Sequence, residues 1–254
     1  MKISRRTFVG TAGCAAAGAL CTFPSLSLAV AAGDSRSTRG IRCSLLDLKS
    51  NCVLPESLDG YRLALGSDHR SLSALDLDSR EAHRAIVVPA AGTIDLATSS
   101  ALSSALNSGA TVVWESGAAF LSASEFAAHR AILAGHFEIS IGQPAELWTS
   151  KTLRRSEAEN LGRSGKPKLT GHDAVPYVTY HWPHETRVRD FSRAIPVSAS
   201  SGRAIAHLGK IPVAWRKPIG NGTFIFLGSP IGPGMRAGDA EAVAWLRAVI
   251  SESA

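Results

Sequence analysis

Ala85-Ile86-Val87-Val88-Pro89 and Thr111-Val112-Val113-Trp114 are two unbroken apolar runs, and between them Leu102 and Leu106 stand four residues apart. Unbroken apolar runs of this length suit strands buried on both faces, and the spacing of four predicts a helix over 99–107. Pro89 and Gly92 close the first run, and Gly109 supplies a stop for the helix. A second helix is predicted over about 124–133, with Gly135 just past its end. The resulting β-α-β-α series predicts an α/β fold, an open and mainly parallel sheet flanked by helices.

Working outward, residues 61–65, 137–141 and 177–182 read as further strands. The runs 211–215 and 223–227 flank Gly220-Asn221-Gly222, a hairpin-turn signal that predicts a C-terminal hairpin. Residues 239–250 close the chain as a helix, with Ala242, Trp245, Leu246 and Val249 on one face. The polar stretch 143–175 reads as an inserted excursion. Its basic run from Lys151 to Lys168 is broken by Glu157 and Glu159 and reads as a solvated loop.

The first residues carry an address. Ser4-Arg5-Arg6-Thr7-Phe8-Val9 matches the twin-arginine export signature, and an uncharged stretch runs on to the small-x-small site Ala29-Val30-Ala31. Residues 1–31 are therefore expected to be a signal peptide handled by the Tat translocase, which places the protein in the periplasm or outside the cell. The stretch is too weakly apolar for a stable membrane anchor. Losing Lys2, Arg5 and Arg6 takes the formal charge from +6 to +3, which is no nucleic-acid footprint. Residues 32–60 read as a lead segment before a domain over 61–254. Within the lead, Cys43 and Cys52 read either as a disulfide in an oxidising compartment, the favoured reading, or as two free thiols.

From about Tyr61 onward the order of elements resembles the class I glutamine-amidotransferase-like superfamily, which has a flavodoxin-like α/β fold. The stretches that carry the resemblance are Ile86-Val87-Val88-Pro89-Ala90-Ala91-Gly92, Gly109 to Gly117, and Gly220 to Pro230. The resemblance implies an oxyanion glycine at Gly92, a nucleophile at the turn after the second strand, and a histidine after the late strand. Here the nucleophile position holds Ser116 and the histidine position holds Ser229. A cysteine–histidine pair is absent by residue type, so glutamine hydrolysis is not carried over.

Ser116 and its neighbour Glu115 are the candidate catalytic residues. A serine at a strand-to-helix turn reads either as a nucleophile or as a helix cap, and as a nucleophile it needs a base. His181, His184 and His207 are the bases considered. Gly92, Thr93 and Ser229 are expected to line a ligand pocket, joined by His181, Trp182 and His184 of the cluster Tyr180-His181-Trp182-Pro183-His184-Glu185. Pro183 breaks any helix that would align the two histidines for zinc, so no metal is expected. No CxxCH or GxGxxG occurs, and no cofactor is expected. The functional expectation is an exported domain without amidotransferase activity that binds a small molecule, a glycan or a protein partner. A serine-type hydrolase using Ser116 is the alternative.

Overall fold

The computed structural model describes residues 43–48, 54–73, 77, 84–116, 120, 122–146, 177–189 and 193–252. The predicted signal peptide, Cys52 and the basic run 151–168 lie outside the described residues.

The strands in chain order are β1 (Cys43–Leu46), β2 (His69–Leu72), β3 (Ala85–Ala91), β4 (Thr111–Ser116), β5 (Ile139–Ile141), β6 (Ala145–Glu146), β7 (Tyr177–Tyr180), β8 (Thr186–Arg189), β9 (Arg193–Ala194), β10 (Val197–Ala199), β11 (Arg203–Leu208), β12 (Ile211–Ile219) and β13 (Gly222–Leu227). Nine of them form one sheet in the order β2-β1-β3-β4-β13-β12-β11-β7-β8, while β5 pairs with β10 and β6 with β9. The helices are α1 (Pro55–Leu65), α2 (Leu96–Asn107), α3 (Ala123–Phe137), α4 (Gly232–Arg236) and α5 (Ala240–Glu252).

The sheet corrects the expected mainly parallel, flavodoxin-like architecture. From β2 to β13 every pairing is parallel; from β13 to β8 every pairing is antiparallel. The physical reason lies in the connections. Parallel neighbours need a crossover of a dozen or more residues, and α2 supplies one between β3 and β4. The pairs β7–β8, β11–β12 and β12–β13 are joined by short links instead, which permit only antiparallel neighbours. Gly220 turns the β12–β13 hairpin with φ +56, and a side chain there would strike Asn107 at the end of α2.

Two other expectations change. Residues 61–65 are the last turn and a half of α1, not a strand: Pro55 opens that helix, and it buries Ser57, Gly60, Tyr61, Ala64 and Leu65 at helical spacing. The segment read as a lead contributes β1, whose Cys43 is a free, buried thiol pushed up to about 12 by burial rather than half of a bridge.

Alternation along the parallel strands builds two cores. Val87, Val113, Ile225 and Leu227 face α1, α4 and α5, where Tyr61, Met235, Trp245 and Leu246 meet them. Ile86, Val88, Val112, Trp114, Phe224 and Phe226 face α2 and α3, with Leu102, Leu106, Phe126, Leu133 and Phe137. The buried Lys217 of β12 crosses to the end of α3, donating to the Phe137 carbonyl at 3.3 Å and pairing with the Glu138 carboxylate. A cation there satisfies the last carbonyls of the helix.

Helices α1 and α4 touch backbone to backbone. A Cβ on Gly60 would lie 1.9 Å from the Gly232 carbonyl oxygen, so Gly60→Ala must force the helices apart. Its expected cost is about 3 kcal/mol or more. Gly135→Ala in α3, where a Cβ meets nothing within 4 Å, is expected to be stabilising by about 0.5 kcal/mol. Urea denaturation of the two variants checks both signs.

Candidate functional site

Strand β4 ends on two polar residues that point to opposite faces of the sheet. Trp114 and Ser116 face α3; Val113 and Glu115 face α1 and α4. Both Glu115 and Ser116 are fully buried. Two residues adjacent in sequence therefore serve two separate constellations.

On the α3 side, Ser116 Oγ lies 2.8 Å from His129 Nε2, and His129 Nδ1 lies 2.8 Å from the Gly92 carbonyl oxygen. A carbonyl only accepts, so Nδ1 carries the proton. Nε2 is then the acceptor, and Ser116 donates to it. His129 packs between Phe120, with ring centres 5.0 Å apart, and Trp114, at 6.0 Å. Burial holds its pKa down at about 4, although the Gly92 hydrogen bond pulls upward. The imidazole is thus neutral over the physiological range.

The end of β3 is shaped to deliver that carbonyl. Pairing between β3 and β4 slips between Val88 and Ala91, and Ala90 takes a left-handed φ of 40. Non-glycine residues adopt this region at a cost of about 1 kcal/mol or more, and such strain gathers at functional sites. Thr93 follows and donates to the Glu125 carbonyl of α3 at 3.4 Å. Ser116 and Gly92 are therefore joined through a histidine that was not among the candidates, and Thr93 touches the same helix.

Glu115 is not a partner of Ser116. Its Oε1 accepts from Ser57 Oγ at 2.5 Å. Its Oε2 accepts from Tyr61 OH at 2.9 Å, Ile231 N at 2.8 Å and Gly232 N at 3.0 Å. Burial raises its pKa, while these donors pull it back down. The Tyr61 hydroxyl is raised well above its usual range, by burial first and then by the facing carboxylate. With both oxygens engaged, Glu115 ties β4 to α1 and α4 rather than serving as an acid or base.

Ser229 is buried just beyond β13. The histidine cluster lies elsewhere. Strand β7, which leads into His181, Trp182 and His184, sits four strands from β4, about 19 Å across the sheet. There the Trp182 carbonyl accepts from Trp245 Nε1 at 2.7 Å, and Arg216 covers the Trp182 ring at 4.9 Å. His181 and His184 are exposed. His207 lies beside His181, its ring tilted by 53° and the ring centres 5.4 Å apart, and cannot serve Ser116. No group of three metal-ligating side chains occurs among the described residues. No helix among them is long and apolar enough to cross a membrane. The histidine that the sequence reading missed, His129, carries one signal: it occupies the buried stripe Phe126, His129, Leu133, Phe137 of the helix that follows Ser116.

No family model matches the sequence, and no curated protein matches it. Solved structures do. A β-galactosidase from Rahnella sp. R3 matches at 12% identity and a TM-score of 0.56, over 84% of this chain and 31% of that one. A β-galactosidase from Bacillus circulans sp. alkalophilus matches at 13% and 0.52, over 81% and 31%. A cytoplasmic protein, STM1381, from Salmonella typhimurium LT2 matches at 10% and 0.54, over 83% of this chain and 98% of its own.

These likenesses are of fold alone. The chain spans about a third of the length of the two β-galactosidases. Its own sheet is open, with β2 and β8 at its edges. The neighbours are glycoside hydrolases and a cytoplasmic protein rather than glutamine amidotransferases. The resemblance to the amidotransferase-like superfamily is corrected accordingly, and with it the non-catalytic binding role read from it.

Glu115→Ala leaves four donors without their acceptor, and the expected loss is about 4 kcal/mol or more, with Glu115→Gln losing less. Equilibrium unfolding in urea measures both. For His129, the unfolded chain takes up a proton near pH 6.5 and the folded chain only near 4. The unfolded state therefore binds more protons between these limits. The stability due to neutral His129 is complete above 6.5 and is lost as the pH falls toward 4, by about 3 kcal/mol. Unfolding free energies across this range should slope steeply for the native chain and more gently for His129→Asn.

Proposed function

We propose that the chain is a serine-type hydrolase in which Ser116 is the nucleophile and His129 its base. The single observation behind this reading is the 2.8 Å contact from Ser116 Oγ to a ring nitrogen whose tautomer the Gly92 carbonyl fixes. Ser116 Oγ would attack a substrate carbonyl as its proton passes to Nε2. The protonated His129 would then give that proton to the leaving group, and water would repeat the sequence to free the acyl product. A carbonyl stands where many serine hydrolases place a carboxylate. It orients the ring without stabilising the imidazolium by charge, in keeping with the low pKa.

Carboxylate-pair chemistry on a glycosidic bond has less support. It needs two carboxyl groups facing one bond, about 5–9.5 Å apart. Glu115 has both oxygens engaged on the opposite face of the sheet. The residues 4–9 and 29–31 lead us to propose further that this hydrolase works outside the inner membrane after Tat export.

One observation favours a second reading. Ser116 and His129 are 0% and 1% exposed, as befits a polar clamp that fastens α3 to β3 and β4. A fluorophosphonate probe separates the two. Expected is covalent labelling of Ser116 at neutral pH, absent from Ser116→Ala and fading as the pH falls to about 4, where His129 takes its proton. An unlabelled native chain, with Ser116→Ala destabilised by about 1–3 kcal/mol, would leave the clamp as the whole role of the pair.

A further inference from the structure

One aromatic ring both packs against His129 and lines a cavity of about 330 Å³ at the start of α3. That ring is Phe120. Its centre lies 5.0 Å from His129 on one side and 5.0 Å from Phe126 on the other. Both phenylalanines line the cavity, together with Ala127 and Pro144. The polar part of the lining includes Gln143 and Arg130, the residue that follows His129 in the chain. Among the described residues that line the space, Arg130 is the one charged side chain and none carries a carboxylate.

The volume falls at the small end of ligand pockets. Two aromatic walls at a T-shaped angle suit a flat apolar body. A lone guanidinium at the rim suits a planar anion, which it can meet with two parallel hydrogen bonds. We propose that this cavity is a carboxylate subsite: it holds a small aromatic or branched carboxylate, its apolar body against Phe120 and Phe126 and its carboxylate on Arg130. As a statement about substrates it rests on the hydrolase reading. On that reading, the preferred substrates are esters or amides of small apolar acids that also carry a free carboxylate.

Benzoate is the probe, and benzamide is its neutral match in shape. Both are titrated into the full ¹⁵N-labelled chain, with amide shifts followed by NMR. Expected is saturable binding of benzoate at about 1–10 mM, with shifts centred on Phe120, Phe126, Ala127 and Arg130. Benzamide should bind about fivefold more weakly, the discrimination an exposed ion pair supplies. Arg130→Gln, an exposed position, should erase the difference between the two ligands. Shifts scattered away from these residues, or equal affinity for benzoate and benzamide in the native chain, would overturn the subsite. The same titration on Ser116→Ala separates the two proposals. Benzoate bound there, beside a native chain that the fluorophosphonate does not label, keeps the subsite and removes the hydrolase.

Discussion

Four donors converge on the carboxylate of Glu115, and the two helices on that side of the sheet are placed by them. The acceptor sits at the end of a central strand, where water cannot reach it, so its burial is tolerable only while the donors hold station. Ser57 and Tyr61 bring α1, and the amides of Ile231 and Gly232 bring the start of α4. The two helices then meet closely enough that Gly60 and Gly232 need bare backbones. Polar satisfaction and close packing thus specify one arrangement, and the fixed end of β4 fixes the direction in which Ser116 points.

The opposite face works with two hydrogen bonds fewer and with less charge. A carbonyl, a neutral imidazole and a hydroxyl form a chain in which every proton has a defined place. Its geometry depends on the distorted end of β3, where the left-handed Ala90 turns the backbone out of the ladder before Gly92. The strain is held because both neighbours are rigid. Strand β4 is anchored through Glu115, and α3 is fastened at its far end by Lys217.

Much of this was legible in the residues, for reasons that can be named. The runs at Ile86 and Val112 are apolar on both faces because helices cover both faces, and the stripe of Ala242, Trp245, Leu246 and Val249 is long enough to show its period. Tyr61 to Leu65 misled because five residues are too few to tell a helix from a strand when the capping proline lies six positions upstream. The antiparallel half was under-read because β11 alternates imperfectly and shifts register twice against β12. Gly92, Thr93 and Ser116 were legible as polar or small positions at or just past strand ends. His129 was not, because a buried histidine inside an apolar helical stripe looks like core until the residue opposite it is known.

The place of β13 in the sheet has a consequence for how the chain is made. This strand lies between β4 and β12 and belongs to both the parallel and the antiparallel half, yet it begins only at Gly222. Until it leaves the ribosome, β4 lacks its second neighbour and Glu115 lacks the amides of Ile231 and Gly232. The parallel half must therefore wait, partly open, for residues 222–232 to arrive. A chain cut short near residue 220 would expose the apolar edge of β4 to whatever strand meets it first.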